Sequence, residues 1–87
     1  MYEINPKILQ TPISDGKILL LEPKGGLYFE LNEVSVIIFQ SIKDGIKKQE
    51  IINTVTQLFD VSKEEVEIDL MALIKQFKDS NIILTKD

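Results

Sequence analysis

The sequence predicts an α+β fold in which three short strands form an antiparallel sheet and three helices follow. Up to about residue 31, apolar residues stand in short runs separated by turns that contain Gly or Pro. Beyond that point, apolar residues recur at helical spacing. Because strands and helices are segregated along the chain, the pattern favours an α+β architecture over alternating β-α-β units. The 87 residues are expected to form a single domain spanning 1–87.

Two tight turns define the three predicted strands. Asp15-Gly16 separates the first strand, at 8–13, from the second, Lys17–Glu22, because glycine readily adopts the positive φ of a hairpin. A Pro-Lys-Gly-Gly turn then leads into the third strand, Leu27–Leu31. Two successive hairpins make a meander whose middle strand is the second one.

The three predicted helices have recognisable ends. The first begins at Asn32, a good N-cap, and ends at Gly45, which suits the left-handed position after a helix. The second covers about 48–59, and the third runs from Ser62, followed by Glu at capping-box spacing, to about Asn81. These connections match a helix-turn-helix core, so we expect a small winged-helix-like domain. The apolar positions expected in the core are Val34, Ile37, Ile38, Ile42, Ile51, Ile52, Val55, Leu58, Phe59, Val66, Leu70, Leu73 and Phe77.

The composition argues against catalytic, cofactor and metal sites. The chain has no Cys and no His, which removes thiol nucleophiles, zinc fingers and the usual proton-transfer side chain. Carboxylates clustered on the third helix lie mostly off its apolar stripe, as expected for a solvated face near a helix N-terminus. Gly25-Gly26 precedes a strand, so we interpret it as a hairpin turn and not as a phosphate-binding loop. We therefore expect a protein that is not an enzyme and that binds no cofactor and no metal.

The charge pattern argues against nucleic acid. The net charge is −4 and all ten basic residues are Lys, whereas phosphate-binding domains carry a basic excess and use Arg. A DNA-binding winged-helix regulator stays open as an alternative because of the helix-turn-helix, but no nucleic-acid partner is expected. No apolar run is long enough to span a membrane, and the N-terminus lacks signal-peptide features. We expect a cytoplasmic protein with no membrane partner.

The third strand has an unprotected edge. The first strand contains Pro12, which weakens pairing, whereas Leu27–Leu31 has neither Pro nor Lys and is apolar. An open edge of this kind predicts pairing with another chain, in which backbone hydrogen bonds give affinity and side-chain pockets give selectivity. A further hypothesis is an oligomerisation domain in which this strand pairs with its own copy.

Alternation divides the third strand into two faces. Leu27, Phe29 and Leu31 are apolar and share one face, which is expected to pack on the core. Tyr28 and Glu30 point to the other face. Tyr28 either anchors a guest peptide or covers the outer face of the sheet.

The third helix offers a second, partly apolar shoulder beside its core stripe. Met71 and Ile74 form this shoulder, and Lys75 and Lys78 adjoin it. If the shoulder faces the open edge, the two make a groove with an apolar floor, and Met is adaptable enough to suit a peptide guest. The alternative is that Met71 and Ile74 belong to the core.

In their order and spacing these features resemble the PqqD family, also called the RiPP recognition element. The resemblance extends over about residues 8–84. It is carried by Asp15-Gly16, the apolar run 18–21, Gly25-Gly26 before Tyr28, Leu31-Asn32, Asp44-Gly45, Ile51, Ile52, Asp69-Leu70, Leu73, Phe77 and Asn81-Ile82-Ile83.

The resemblance implies that the protein binds the leader segment of a ribosomally synthesised precursor peptide. The leader would add a strand along the backbone of Leu27–Leu31, in a cleft walled by the third helix. Met71, Ile74, Lys75 and Lys78 are the helix residues expected to touch it.

The resemblance also implies partner enzymes. A free-standing member would deliver the leader to a leader peptidase and a cyclase in a lasso peptide system. The alternative is a peptide chaperone for a radical-SAM enzyme, as in pyrroloquinoline quinone biosynthesis. A short independent chain favours the lasso pathway. Asp69 matches a family position whose role the sequence does not reveal.

Overall fold

The computed structural model describes residues 2–85 and confirms a three-stranded antiparallel sheet followed by three helices. A further short strand precedes this arrangement and another follows it. No helix among these residues is both long enough and apolar enough to cross a membrane. The elements are, in order, β1 (Tyr2–Ile4), β2 (Leu9–Ser14), β3 (Lys17–Glu22), β4 (Leu27–Leu31), α1 (Glu33–Lys43), α2 (Lys48–Leu58), α3 (Lys63–Asp79) and β5 (Ile83–Thr85).

The three-stranded sheet has the order β2-β3-β4, so β3 is the central strand as predicted. Leu20 of β3 lies opposite Phe29 of β4. The β2–β3 turn places Gly16 at a φ of 70°, a conformation that glycine adopts without steric cost. A bulge interrupts β2 between Pro12 and Ser14, which disturbs the ladder near one end of that strand.

A second sheet joins the two ends of the described chain. β1 and β5 pair antiparallel, with Ile4 opposite Ile83. The Asn5 N–H donates to the Ile82 carbonyl at 2.8 Å, and Asn5 Nδ2 donates to the Asn81 carbonyl at 2.9 Å. The sequence analysis missed β1 because three residues are too few to show an alternating pattern.

The helix ends follow the predicted local chemistry. Asn32 Oδ1 accepts the N–H of Ser35 at 2.9 Å, and Ser62 Oγ accepts the N–H of Glu65 at 3.2 Å. Each contact satisfies a backbone donor that has no partner within the helix. Gly45 follows α1 at a φ of 75°, as expected for a left-handed helix stop.

The C-terminus of α3 closes through a left-handed Asn. Asn81 has a φ of 60°, and the N–H of Ile82 donates to the Phe77 carbonyl at 2.8 Å. The N–H of Asn81 also donates to the Lys78 carbonyl at 3.2 Å. This pair of bonds is the Schellman closure, and the burial of Ile82 and Phe77 supplies the apolar contact that accompanies it.

The core lies between the helices and one face of the β2-β3-β4 sheet. Its centre is an edge-to-face contact between Phe39 and Phe77, whose ring centroids are 6.0 Å apart and whose planes meet at 85°. Both rings are fully buried. The predicted stripe of α1 omitted Phe39, which follows Ile38 directly and widens the buried face of that helix.

The predicted core stripe of α3 is confirmed at Val66, Leu70 and Phe77 and is wrong by one position at Leu73. Ile74 is only 5% exposed, whereas Leu73, predicted in the core stripe, is only partly buried. Of the two interpretations of Ile74, the structure supports the core. Leu58 is also corrected: it was expected in the core stripe of α2, but it is the last residue of that helix and its side chain is exposed.

We predict that Phe77→Ala lowers the free energy of unfolding by about 3–5 kcal/mol, because it removes one ring of the central pair and leaves a cavity. Urea denaturation followed by circular dichroism measures the change. The control is Ile68→Ala, also on α3 but 69% exposed, which should change stability by less than about 0.5 kcal/mol. Equal losses in the two variants would show that the ring pair is not the centre of the core.

We predict that Asn81→Val lowers the free energy of unfolding by about 1–2 kcal/mol, because a β-branched residue is strained at positive φ. Asn81→Gly should stay within about 0.5 kcal/mol of the parent, since glycine accepts this conformation. Both variants keep the backbone carbonyl that accepts from Asn5. Thermal and urea unfolding of the pair give the comparison, and a Gly variant as unstable as the Val variant would contradict the role of φ.

Candidate functional site

The free edge of β4 is the first part of the candidate site. Among residues 2–85, β4 is hydrogen-bonded as a strand to β3 alone. In an antiparallel ladder alternate residues direct their N–H and C=O groups to the same side, so the free edge offers the groups of two or three residues. Leu27–Leu31 contains no Pro, Lys or bulge that would hinder a further strand. The opposite edge, on β2, carries both Pro12 and the bulge.

The β3–β4 turn fixes the start of β4. Glu22 is the last residue of β3 and its carboxylate is buried, with Oε2 accepting the N–H of Gly25 at 2.5 Å. A buried carboxylate is stabilised by such a bond because it has lost its hydration. Gly26 completes the turn at a φ of 67°. The turn is therefore held by a specific contact, and Leu27 enters the strand in a defined position.

A groove of about 390 Å³ begins where β4 ends. One side is the start of α1 and the other is a flank of α3. Val55 of α2 and Val61, in the segment before α3, complete the lining. The α3 residues recur at positions i, i+3, i+4 and i+7, so they share one flank of the helix. The lining residues are Asn32, Val34, Ser35, Ile38, Val55, Val61, Val66, Asp69, Ala72, Leu73 and Gln76.

The groove has an apolar floor and polar rims. Ile38 and Val66 are buried at its base, and Leu73 is partly buried. Asp69 and Gln76 are exposed, and within the part of the chain that the structure describes neither side chain makes a hydrogen bond or an ion pair. An extended segment could therefore place apolar side chains on the floor and find hydrogen-bond partners along α3.

The strand residues predicted for the site lie on both faces of β4, and the groove lining begins at the next residue, Asn32. Leu31 is buried and Phe29 is partly buried, and both face the core. Leu27, at the other end of the strand, is exposed. Tyr28 and Glu30 alternate with them and are exposed on the outer face of the sheet. The structure thus settles the direction of Tyr28: it points to the outer face and does not line the groove.

The helix residues predicted for the site do not line this groove. Met71 and Lys78 follow Asp69 and Gln76 by two positions, which is about 200° around the helix. The Lys78 ammonium lies 4.8 Å from the centre of the Tyr2 ring, beside β1. The Ile74 side chain is buried and borders a different cavity with Tyr2. Lys75 is exposed and is also absent from the groove lining.

The sequence prediction did not identify the residues that line the groove, because it considered only apolar residues of α3 beside the core stripe. The flank that lines the groove instead carries Asp69, Ala72 and Gln76, none of which is strongly apolar. In the sequence, only Ala72 indicated this flank of α3, since a small residue on a helix leaves room for a neighbouring backbone to approach. The resemblance had marked Asp69 without explaining it, and the structure places it on the rim.

Comparison with known proteins places the chain in a family. Residues 17–83 match a family model described as coenzyme PQQ synthesis protein D (PqqD). No curated protein sequence matches the chain significantly. Because the model spans well over half of the chain, the protein belongs to the PqqD family, and the resemblance inferred from the sequence is confirmed.

Two solved structures share the fold over almost the whole chain. One is described as TbiB1 in complex with the TbiA(beta) leader peptide; it has a TM-score of 0.84 and 22% identity and covers 98% of both chains. The other is described as a lasso peptide synthetase B1 complexed with the leader peptide. Its TM-score is 0.83 at 25% identity, covering 97% of this chain and 98% of that one. The pairing of a three-stranded sheet with three helices is therefore a shared architecture.

Proposed function

Proceeding from membership of the PqqD family, we propose that this protein binds the leader segment of a ribosomally synthesised precursor peptide and presents it to a processing enzyme. The observation that carries the proposal is the juxtaposition of an open, unprotected strand edge with an apolar groove at the end of the same strand. An extended peptide can use both at once, because strand addition supplies affinity and the groove supplies selectivity.

The similar structures support a leader peptide as the guest. TbiB1 and the lasso peptide synthetase B1 are each described as bound to a leader peptide. They share the fold of this chain over nearly its full length, including the edge strand and the helices that border the groove. A guest that pairs mainly through its backbone tolerates sequence divergence, which fits the low identity between these proteins.

The proposed site consists of the β4 edge and the α3 flank beside it. The leader would lie about 4.8 Å from β4 as a fourth strand. Side chains on one face of that strand would reach the groove floor and Leu73, with Ala72 leaving space above it. Asp69 and Gln76 would supply hydrogen-bond partners at the rim. The four helix residues expected from the sequence, Met71, Ile74, Lys75 and Lys78, are left without a leader contact in this proposal.

The processing enzyme is proposed from the same comparisons. One of the two similar structures is described as a lasso peptide synthetase B1, which favours a leader peptidase acting with a cyclase. A radical-SAM enzyme, as in pyrroloquinoline quinone biosynthesis, is the second candidate, because the matching family model is the PQQ synthesis protein D. In either pathway this chain would contribute recognition of the leader.

We predict that Ala72→Arg weakens leader binding by about tenfold or more, because the new side chain occupies the groove. Met71→Arg is the matched control: it introduces the same residue at the adjacent position, on the other flank of α3, and should change the affinity by less than about twofold. Isothermal titration with a synthetic leader of the precursor encoded beside this protein measures both. The reverse result would assign the leader to the flank that the sequence analysis had selected.

We predict that the leader slows amide hydrogen exchange at alternate residues of β4, either Leu27, Phe29 and Leu31 or Tyr28 and Glu30, because one set of N–H groups points to the free edge. Two-dimensional NMR of labelled protein with and without the leader gives the pattern. Protection that also appears without leader as the protein concentration rises would indicate self-pairing. Shifts with duplex DNA but not with the leader would replace the proposal with nucleic-acid binding.

A further inference from the structure

A second cavity, of about 330 Å³, lies on the side of α3 away from the leader groove. It is enclosed by the end of α1, the start of α2, the middle of α3 and the strand β1. Its aliphatic and aromatic lining consists of Tyr2, Ile42, Ile46, Ile51, Leu70 and Ile74. Four of these side chains belong to the buried core and form the floor, whereas Ile46 is exposed at the mouth. We call this cavity the second pocket.

One row of α3 residues runs along the mouth of the second pocket. Residues spaced by three and four positions share a flank of a helix, and on this flank they are Glu67, Met71, Ile74 and Lys78. Both ends of the row contact residues that line the pocket. Glu67 Oε1 lies 3.7 Å from Lys48 Nζ, and the Lys78 ammonium lies 4.8 Å from the centre of the Tyr2 ring. Met71, which is 49% exposed, therefore stands beside the mouth.

The charge around the second pocket is opposite to that of the leader groove. Among the described residues, the charged side chains that line the pocket are Lys47 and Lys48, and Lys78 adjoins it. The charged side chain that lines the leader groove is Asp69. Within residues 2–85 Lys47 makes no ion pair, although the whole chain has a net charge of −4. The two sites thus open on different flanks of α3 and attract guests of opposite charge.

The size and surroundings of the second pocket favour a peptide segment as its guest. An apolar cavity of about 150 Å³ is enough to hold benzene, so this one admits a Phe or Leu side chain. Filling it restores dispersion contacts that the lining side chains otherwise lack. A small carboxylate could fill the pocket but would leave Met71 uncovered, whereas a peptide segment covers both. Met is also a side chain that adapts to different guests on peptide-binding surfaces.

We propose that the second pocket and Met71 together bind an acidic segment of a partner protein. The segment inserts one large apolar side chain into the pocket and places carboxylates beside Lys47, Lys48 and Lys78. This site needs no leader, so it is independent of the proposed function, and a partner bound there leaves the β4 edge and the leader groove free. Because the lysines are exposed, their attraction for the carboxylates is screened and weakens as salt is added.

The test is an NMR titration of labelled protein, without leader, by a synthetic peptide blocked at both ends in which one Phe stands between two pairs of acidic residues. The variant is Lys47→Glu, which reverses a charge at an exposed position of the pocket mouth. The matched control is Lys17→Glu, which makes the same change at an exposed position at the start of β3. A second peptide with Ala in place of Phe tests the apolar anchor, and octanoate tests a small carboxylate.

We expect saturable shifts at Ile46, Ile51 and Met71 with the Phe peptide, and weaker binding as salt is added. Lys47→Glu should weaken this binding about fivefold or more, because it replaces attraction by repulsion. Lys17→Glu should stay within about twofold of the parent. The Ala peptide should bind about tenfold or more weakly, because it lacks the buried ring.

Three results would overturn the proposal. The first is the absence of shifts at the second pocket, or shifts that Lys47→Glu leaves unchanged. The second is octanoate binding as tightly as the Phe peptide, which would assign the pocket to a small carboxylate. The third is the same shifts appearing without peptide as the protein concentration rises, which would assign the pocket to a second copy. A separate titration with the leader distinguishes the two sites: Lys47→Glu should keep the parent leader affinity within about twofold, and failure of the parent to bind leader would remove the proposed function alone.

Discussion

The cap that Asn32 places on α1 is the contact on which the rest of the arrangement depends. β4 ends at Leu31 and α1 begins at Glu33, so the chain leaves the sheet with a single residue between strand and helix. Because the chain turns away here, it does not pair a further strand with β4, and the edge stays open. The same turn places the first residues of α1 across from a flank of α3, where they form one side of the groove. One capping contact thus places the edge and the groove next to each other.

The two outer edges of the sheet differ in how readily they could pair with a further strand. β2 combines Pro12 with a bulge, both of which discourage a further strand. β4 has neither, and the carboxylate of Glu22 holds the turn from which it starts. An added strand therefore has one favourable position, beside the groove. In the proposed function, this asymmetry would direct an extended guest to one edge of a domain whose fold otherwise consists of common local structures.

The features that local chemistry determines could be predicted from the sequence, and those that packing determines could not. The caps at Asn32 and Ser62 and the open edge of β4 each depend on a few neighbouring residues, and the structure has all of them. Which face of α3 is turned toward the core depends on how that helix packs against α2 and β5. Periodicity alone did not distinguish Leu73 from Ile74, because both extend the apolar stripe. The groove wall was missed for a related reason: its residues are small or polar and leave no hydrophobic pattern.

Because side chains alternate along β4, the two faces and the free edge of this strand have different surroundings. Phe29 and Leu31 face the core and hold the strand on the domain, Tyr28 faces outward, and the backbone edge stays free in the plane of the sheet. The two side-chain directions are opposite and the free edge is perpendicular to both, so a guest strand on the edge would not displace the core contacts of Phe29 and Leu31. A guest strand would extend the sheet in its own plane and leave both faces of β4 as they are.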